Sequence, residues 1–115
     1  MAYDNYLSER IGSALHNRSI AFKEKHMFGG VAFMVDEKMC VGVIGESLMA
    51  RIGPDVYEES LERKGCLPME FTGRPMKGYV TVTPEGLDMD EDLDHWIVLA
   101  LEFNPRAKSS KKKKL

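Results

Sequence analysis

A chain of 115 residues, 43% hydrophobic and 30% charged, has the size and balance of one globular domain, enough for a real core and too little for two. No apolar run reaches the ~18 residues of a membrane span, the opening MAYDNYLSER lacks a signal-peptide pattern, and two scattered cysteines make no secreted disulfide framework, so a cytoplasmic protein with reduced thiols is expected. The net charge of -2 hides an asymmetry: residues 106–115 hold six cations and no acid, which leaves ten bases against eighteen acids, or -8, for residues 1–105.

In chain order, Leu7, Ile11, Ala14, Leu15 and Arg18 recur at helical spacing behind Asp4 or Asn5 as N-cap, which predicts a first helix of about four turns. The period changes after Lys25-His26. Val31, Phe33 and Val35 alternate with Ala32 and Met34, and Met39, Val41 and Val43 alternate with Cys40, Gly42 and Ile44. Two strands follow, joined through Asp36-Glu37, a hairpin link that lacks the glycine favoured in the tightest turns. Gly45-Glu46 leads into a third strand, SLMARIG.

Between the first helix and this meander stands Gly29-Gly30. The pair is expected at a helix-to-sheet corner, with Met27 and Phe28 packed inward. Pro54, Asp55, Glu58 and Glu59 open a second helix that Gly65 ends. Two short strands, near Glu70–Thr72 and Tyr79–Thr83, flank the loop TGRPMKG. A closing helix carries Leu93, Trp96, Ile97, Ala100 and Leu101 on one stripe, with Asp90 as its cap and Pro105 as its stop.

The order α-β-β-β-α-β-β-α has too few helices for parallel crossovers. It predicts an α+β two-layer domain over residues 1–105, an antiparallel sheet covered by helices on one face, and a disordered basic tail over 106–115. In the third strand Leu48, Ala50 and Ile52 share one side, and Met49 and Arg51 share the other. An unpaired Arg is costly to bury, so Arg51 belongs on the open side or its rim.

MFGG before an apolar hairpin, then LMARIGPDVYEESL, PMEFTGRPMKGYVTV and DEDLDHWIVLAL, together resemble the TfoX N-terminal domain family, over roughly Lys25 to Phe103. The best-known members regulate natural competence in bacteria. The resemblance implies a two-layer α+β domain of the secretion-chaperone-like type. Full competence regulators carry a second helical domain after this one, whereas this chain ends eleven residues after Asn104, so a role resting on that second domain is not implied.

Gly29-Gly30 is a poor phosphate cradle, because that chemistry needs a strand before the glycines and a helix after them. A better anion site is Arg51 with Gly73, Arg74 and Lys77, where cations meet exposed amides. His16, His26, His95, Cys40 and Cys66 have no metal-ligand spacing, and no nucleophile-base arrangement stands out. No metal, no cofactor and no enzymatic activity are therefore expected.

Lys108, Lys111, Lys112, Lys113 and Lys114 could tether nucleic acid weakly and without sequence preference, against the repulsion of an acidic body. Protein interaction fits more of the chain. Met34 and Met49 fall on strand faces where flexible thioethers adapt to a partner, and an uncovered sheet face favours a homodimer or another docked protein. The expected function is a non-enzymatic binding or regulatory module.

Overall fold

The computed structural model describes the backbone of residues 4–27, 29–71 and 74–107 and, within these, the side chains of all but residues 27, 70–71 and 74–76. In chain order they form α1 (Asn5–Asn17), β1 (Lys23–Met27), β2 (Gly30–Val35), β3 (Lys38–Ile44), β4 (Ser47–Arg51), α2 (Tyr57–Ser60), β5 (Cys66–Phe71), β6 (Arg74–Val82) and α3 (Asp90–Phe103), with 3-10 turns at Pro84–Gly86 and Asn104–Arg106. The strands make one antiparallel sheet in the order β1-β2-β3-β4-β6-β5. The α+β class with helices packed on an antiparallel sheet is therefore as the sequence indicates, and the sheet has one strand more than expected.

That strand is β1. Its Lys23, Glu24, Lys25 and His26 are all exposed, so it carries no apolar alternation to betray it. It exists because β2 offers it a full antiparallel ladder, with Lys25 opposite Ala32 and Met27 opposite Gly30. The glycine pair consequently belongs to a β1–β2 hairpin and not to a helix-to-sheet corner. Gly29 has the left-handed φ of 76° that a tight turn requires. Gly30 is fixed by space: a Cβ there would run into the Val43 carbonyl oxygen of β3.

Register explains the core. Phe33, Val41, Ala50, Val80 and Pro68 stand in one row across the sheet, and Val31, Val43, Leu48, Val82 and Cys66 in the next parallel row. Apart from Pro68 these side chains are buried in one cluster with Leu7, Ile11 and Leu15 of α1 and Leu93, Trp96, Ile97 and Ala100 of α3. Each fully buried Leu, Ile or Val contributes about 1.5–3 kcal/mol, so these rows fix which face the helices cover. The row between them, Lys25, Ala32, Gly42, Met49, Thr81 and Leu67, points the other way.

On that opposite face Met49 is only 1% exposed. Its terminal methyl lies 2.6 Å from where a Gly42 Cβ would stand, so the thioether fills the gap left by a missing side chain. Met34 is half-buried, and Cys40 joins the helix-side core. The methionine surface expected from the sequence is thus largely spent on packing within the molecule.

Local chemistry sets the ends of the elements. The Asp4 carboxylate accepts from the N–H groups of Tyr6 (2.9 Å) and Leu7 (3.2 Å), which caps α1, and the Asp4 N–H donates to Gly45 O at 2.8 Å, which ties that cap to the β3–β4 turn. The β2–β3 hairpin turns through Asp36 and Glu37, both at positive φ (58° and 66°), so two acidic residues take the conformation usually given to Asn-Gly. The second helix closes after one turn, because beyond Ser60 the amides of Glu62 and Arg63 bond three residues back, to Glu59 and Ser60. Gly65, at φ 79°, therefore does not end α2 but turns the chain just before β5.

Most of TGRPMKG is strand and not loop, because β6 begins at Arg74. Pro75, which has no N–H, is tolerated where β6 has β5 as its only neighbour; pairing with β4 starts at Tyr79. Where β4 leaves, the Gly78 carbonyl accepts from both Ile52 N (2.8 Å) and Gly53 N (3.0 Å). At the end of α3 the buried Asn104 donates its side-chain amide to Val35 O at 3.2 Å, and its backbone carbonyl accepts from Lys38 Nζ at 2.9 Å. No helix among the described residues is long and apolar enough to cross a membrane.

Candidate functional site

The cations singled out in the sequence fall at different points along β4 and β6. Arg51, half-buried at the end of β4, sits opposite Tyr79 in the ladder and holds its guanidinium carbon 5.3 Å from the centre of that ring. Lys77 is exposed two residues earlier on β6. Arg74 begins β6 at the hairpin end, five residues from Tyr79 and so about 16 Å along an extended strand. Its side chain, together with Gly73 and the lysines at 108 and 111–114, lies outside the described residues, as does Phe28.

A neighbour of Arg51, Phe103, carries no motif in the sequence, and Phe103 in turn meets Arg106. The Phe103 ring is 5.9 Å from the Arg51 guanidinium carbon, and the Arg106 guanidinium carbon is 5.5 Å from the same ring. Phe103 reaches this place because Gly53, at φ 91°, leaves room: a Cβ there would collide with the ring. Arg106 also meets Asp55 at 3.2 Å, with both side chains largely in solvent.

The thiols are chemically quiet. Burial pushes Cys40 up to about 12 and Cys66 up to about 11, the latter in spite of the Arg63 charge that pulls the other way. Burial, then the Arg63 charge, lowers the His95 pKa against a smaller opposing effect of Asp92, so this imidazole is neutral at pH 7. Its Nε2 is buried without a hydrogen-bond partner among the described residues, and its ring meets Trp96 edge-on at 5.1 Å.

A concavity between two of the helices has no counterpart in the sequence. It is an open cleft of about 680 Å³ between α1 and the first turns of α3, floored by Ala14 and Leu93. Its rims are joined by two charged contacts, Arg10 to Asp90 at 3.1 Å and Arg18 to Asp94 at 2.6 Å. Asp90 was expected to cap α3; it is instead the first helical residue, the cap position falls to Met89 with no side-chain bond, and the carboxylate turns to Arg10. Tyr6 stands 70% exposed at the cleft mouth with Arg10 over its ring at 5.8 Å. Helical periodicity shows only which residues are apolar; a cleft depends on how far apart two helices sit, and that is a tertiary fact.

The model of the TfoX N-terminal domain family matches residues 18–104. The chain belongs to that family. No curated protein matches it significantly. In this TfoX N-terminal domain the matched span takes in the whole sheet, α2, α3 and the Arg51–Phe103 contact. It begins just after α1, so the cleft has one wall inside the matched span and one outside it.

Proposed function

We propose that this TfoX N-terminal domain acts without chemistry of its own, as a binding or regulatory module that docks a segment of a partner protein in the α1–α3 cleft. The observation that carries this reading is the cleft itself: a floor of small and apolar side chains, Ala14 and Leu93, between rims of alternating charge. Ala14 lets a partner backbone approach closely. Arg18 and Asp94 can exchange their mutual contact for one to the partner at little cost, since such exposed pairs are worth only about 0.2–1 kcal/mol, and the Asp90 carboxylate beside Arg10 stands in solvent. The chemistry that fits is an amphipathic segment with a narrow apolar face and charges of both signs on its flanks. Thiols held protonated and a neutral His95 support binding over nucleophilic catalysis.

A blocking substitution tests it. Ser13 and Asn17 are exposed on the α1 wall, so Ser13→Trp should fill the cleft without disturbing the core. Tagged wild-type chain is expected to retain a discrete protein that Ser13→Trp loses, while the melting temperatures of the two agree within about 2 °C, as expected for a surface change. Equal retention by both chains would remove the cleft from the account.

A further inference from the structure

We infer that the segment docked in the α1–α3 cleft is a basic one, whose lysine and arginine side chains outnumber its acids, with the excess at the end that meets Tyr6. The inference rests on the cleft as the docking site and names the chemistry of its partner. Four carboxylates line the cleft, those of Glu9, Asp90, Glu91 and Asp94, against the guanidinium groups of Arg10 and Arg18. Both arginines are already answered, by Asp90 and Asp94. Glu9 and Glu91 are exposed and form no ion pair among the described residues, so theirs are the charges left to a partner.

The imbalance gathers at one end. A smaller hollow of about 110 Å³ shares Tyr6 and Arg10 with the cleft and adds Asp4, Glu46 and Asp88, with no further cation in its lining. Asp4 is engaged in capping α1, whereas Glu46 and Asp88 are exposed and without an ion pair among the described residues. Over the two concavities seven carboxylates face two guanidinium groups, a net of -5 out of the -8 carried by residues 1–105. The positive end of the α3 dipole offsets only about half a charge of this. At the far end Arg18 and Asp94 balance each other.

Apolar groups mark the same acidic end. Tyr6, 70% exposed, stands on the wall that the two concavities share, and Met89, 58% exposed, lies in the chain between Asp88 of the hollow and Asp90 of the cleft. A lysine or arginine lays its aliphatic stem on such side chains and keeps its charge among the carboxylates around them. From Tyr6 to Asn17 the α1 wall rises about 17 Å, room for about three turns of a partner helix. Nucleic acid is a poor occupant, since its phosphates would meet the same carboxylates.

Three labelled amphipathic peptides of about 15 residues test the inference by fluorescence anisotropy. They share one leucine and alanine face and differ in their flanks, which are all lysine, equal lysine and glutamate, or all glutamate. The lysine peptide is expected to bind the full chain about tenfold more tightly than the balanced one, and the glutamate peptide more weakly than either. Glu9→Gln combined with Glu91→Gln should weaken the lysine peptide about three- to tenfold and leave the balanced peptide and the melting temperature unchanged. Ser13→Trp should abolish binding of the lysine peptide. Equal affinity for the lysine and balanced peptides, or a lysine peptide that fails to bind or ignores the double substitution, would overturn the inference. If Ser13→Trp still abolishes what binding there is, or removes the retained protein, the cleft stands without it. Binding of the lysine peptide that survives Ser13→Trp would instead remove the cleft itself, and this inference with it.

Discussion

Gly30 and Gly45 are both glycine for different physical reasons, and substitution separates them. At Gly30 any side chain meets the Val43 carbonyl, part of a sheet backbone that cannot yield without breaking the β2–β3 ladder. Gly30→Ala should cost about 3 kcal/mol or more. Gly45 has φ 58° and nothing within 4 Å of a Cβ, so Gly45→Ala bears only the left-handed penalty of about 1–2 kcal/mol. Urea melts of the two variants should rank in that order, and equal losses would contradict the steric account of Gly30. His95 gives a pH signature at the same scale. Its folded pKa lies below the ordinary 6.5 of the unfolded chain, so the unfolded state takes up the proton first and stability falls as pH drops below about 6.5. His95→Gln should therefore lose less melting temperature than wild type between pH 7.5 and 5.5; parallel losses would show that the imidazole has no part in it.

The elements hold to the sheet through a few local contacts. Asp4→Ala removes the α1 cap and its bonds to Tyr6 and Leu7, for an expected loss of about 1 kcal/mol, or about 4 °C in melting temperature. Asn104→Ala leaves the Val35 carbonyl without its side-chain donor at the end of α3 and should cost about 1–3 kcal/mol. Amide exchange should then quicken along β2 and β3 near that hairpin before it does at the centre of the sheet; uniform quickening would deny Asn104 a local role. The elements most legible in the sequence were those whose large apolar residues recur at a regular period. Stripes such as Leu7, Ile11, Leu15 and Leu93, Trp96, Ile97 announce helices, and the alternation through Val31, Phe33, Val41 and Val43 announces strands. Where that condition fails the reading fails with it: β1 is polar on both faces, and the length of α2 depends on where its amides find acceptors.

At the scale of the molecule the two exposed sheet edges differ in chemistry and share an effect. β1 lines one edge with Lys23, Glu24, Lys25 and His26, and β5 interrupts the other with Pro68, so both discourage further strand pairing. The rest of the surface was only partly legible in the sequence. Arg51 stands half-buried at the end of β4, but Phe103 meets it through the path of α3, and the α1–α3 cleft arises from the packing of segments some eighty residues apart, as in the Arg10–Asp90 contact. Neither distance leaves a trace in local composition. The cleft is the central claim, and a photo-reactive residue placed on it tests that claim most directly. A photo-crosslinker at Ser13 should yield a discrete crosslinked protein, whereas the same group at Lys25, on the edge strand, should not. Equal crosslinking from both positions, or a product from Lys25 alone, would contradict it.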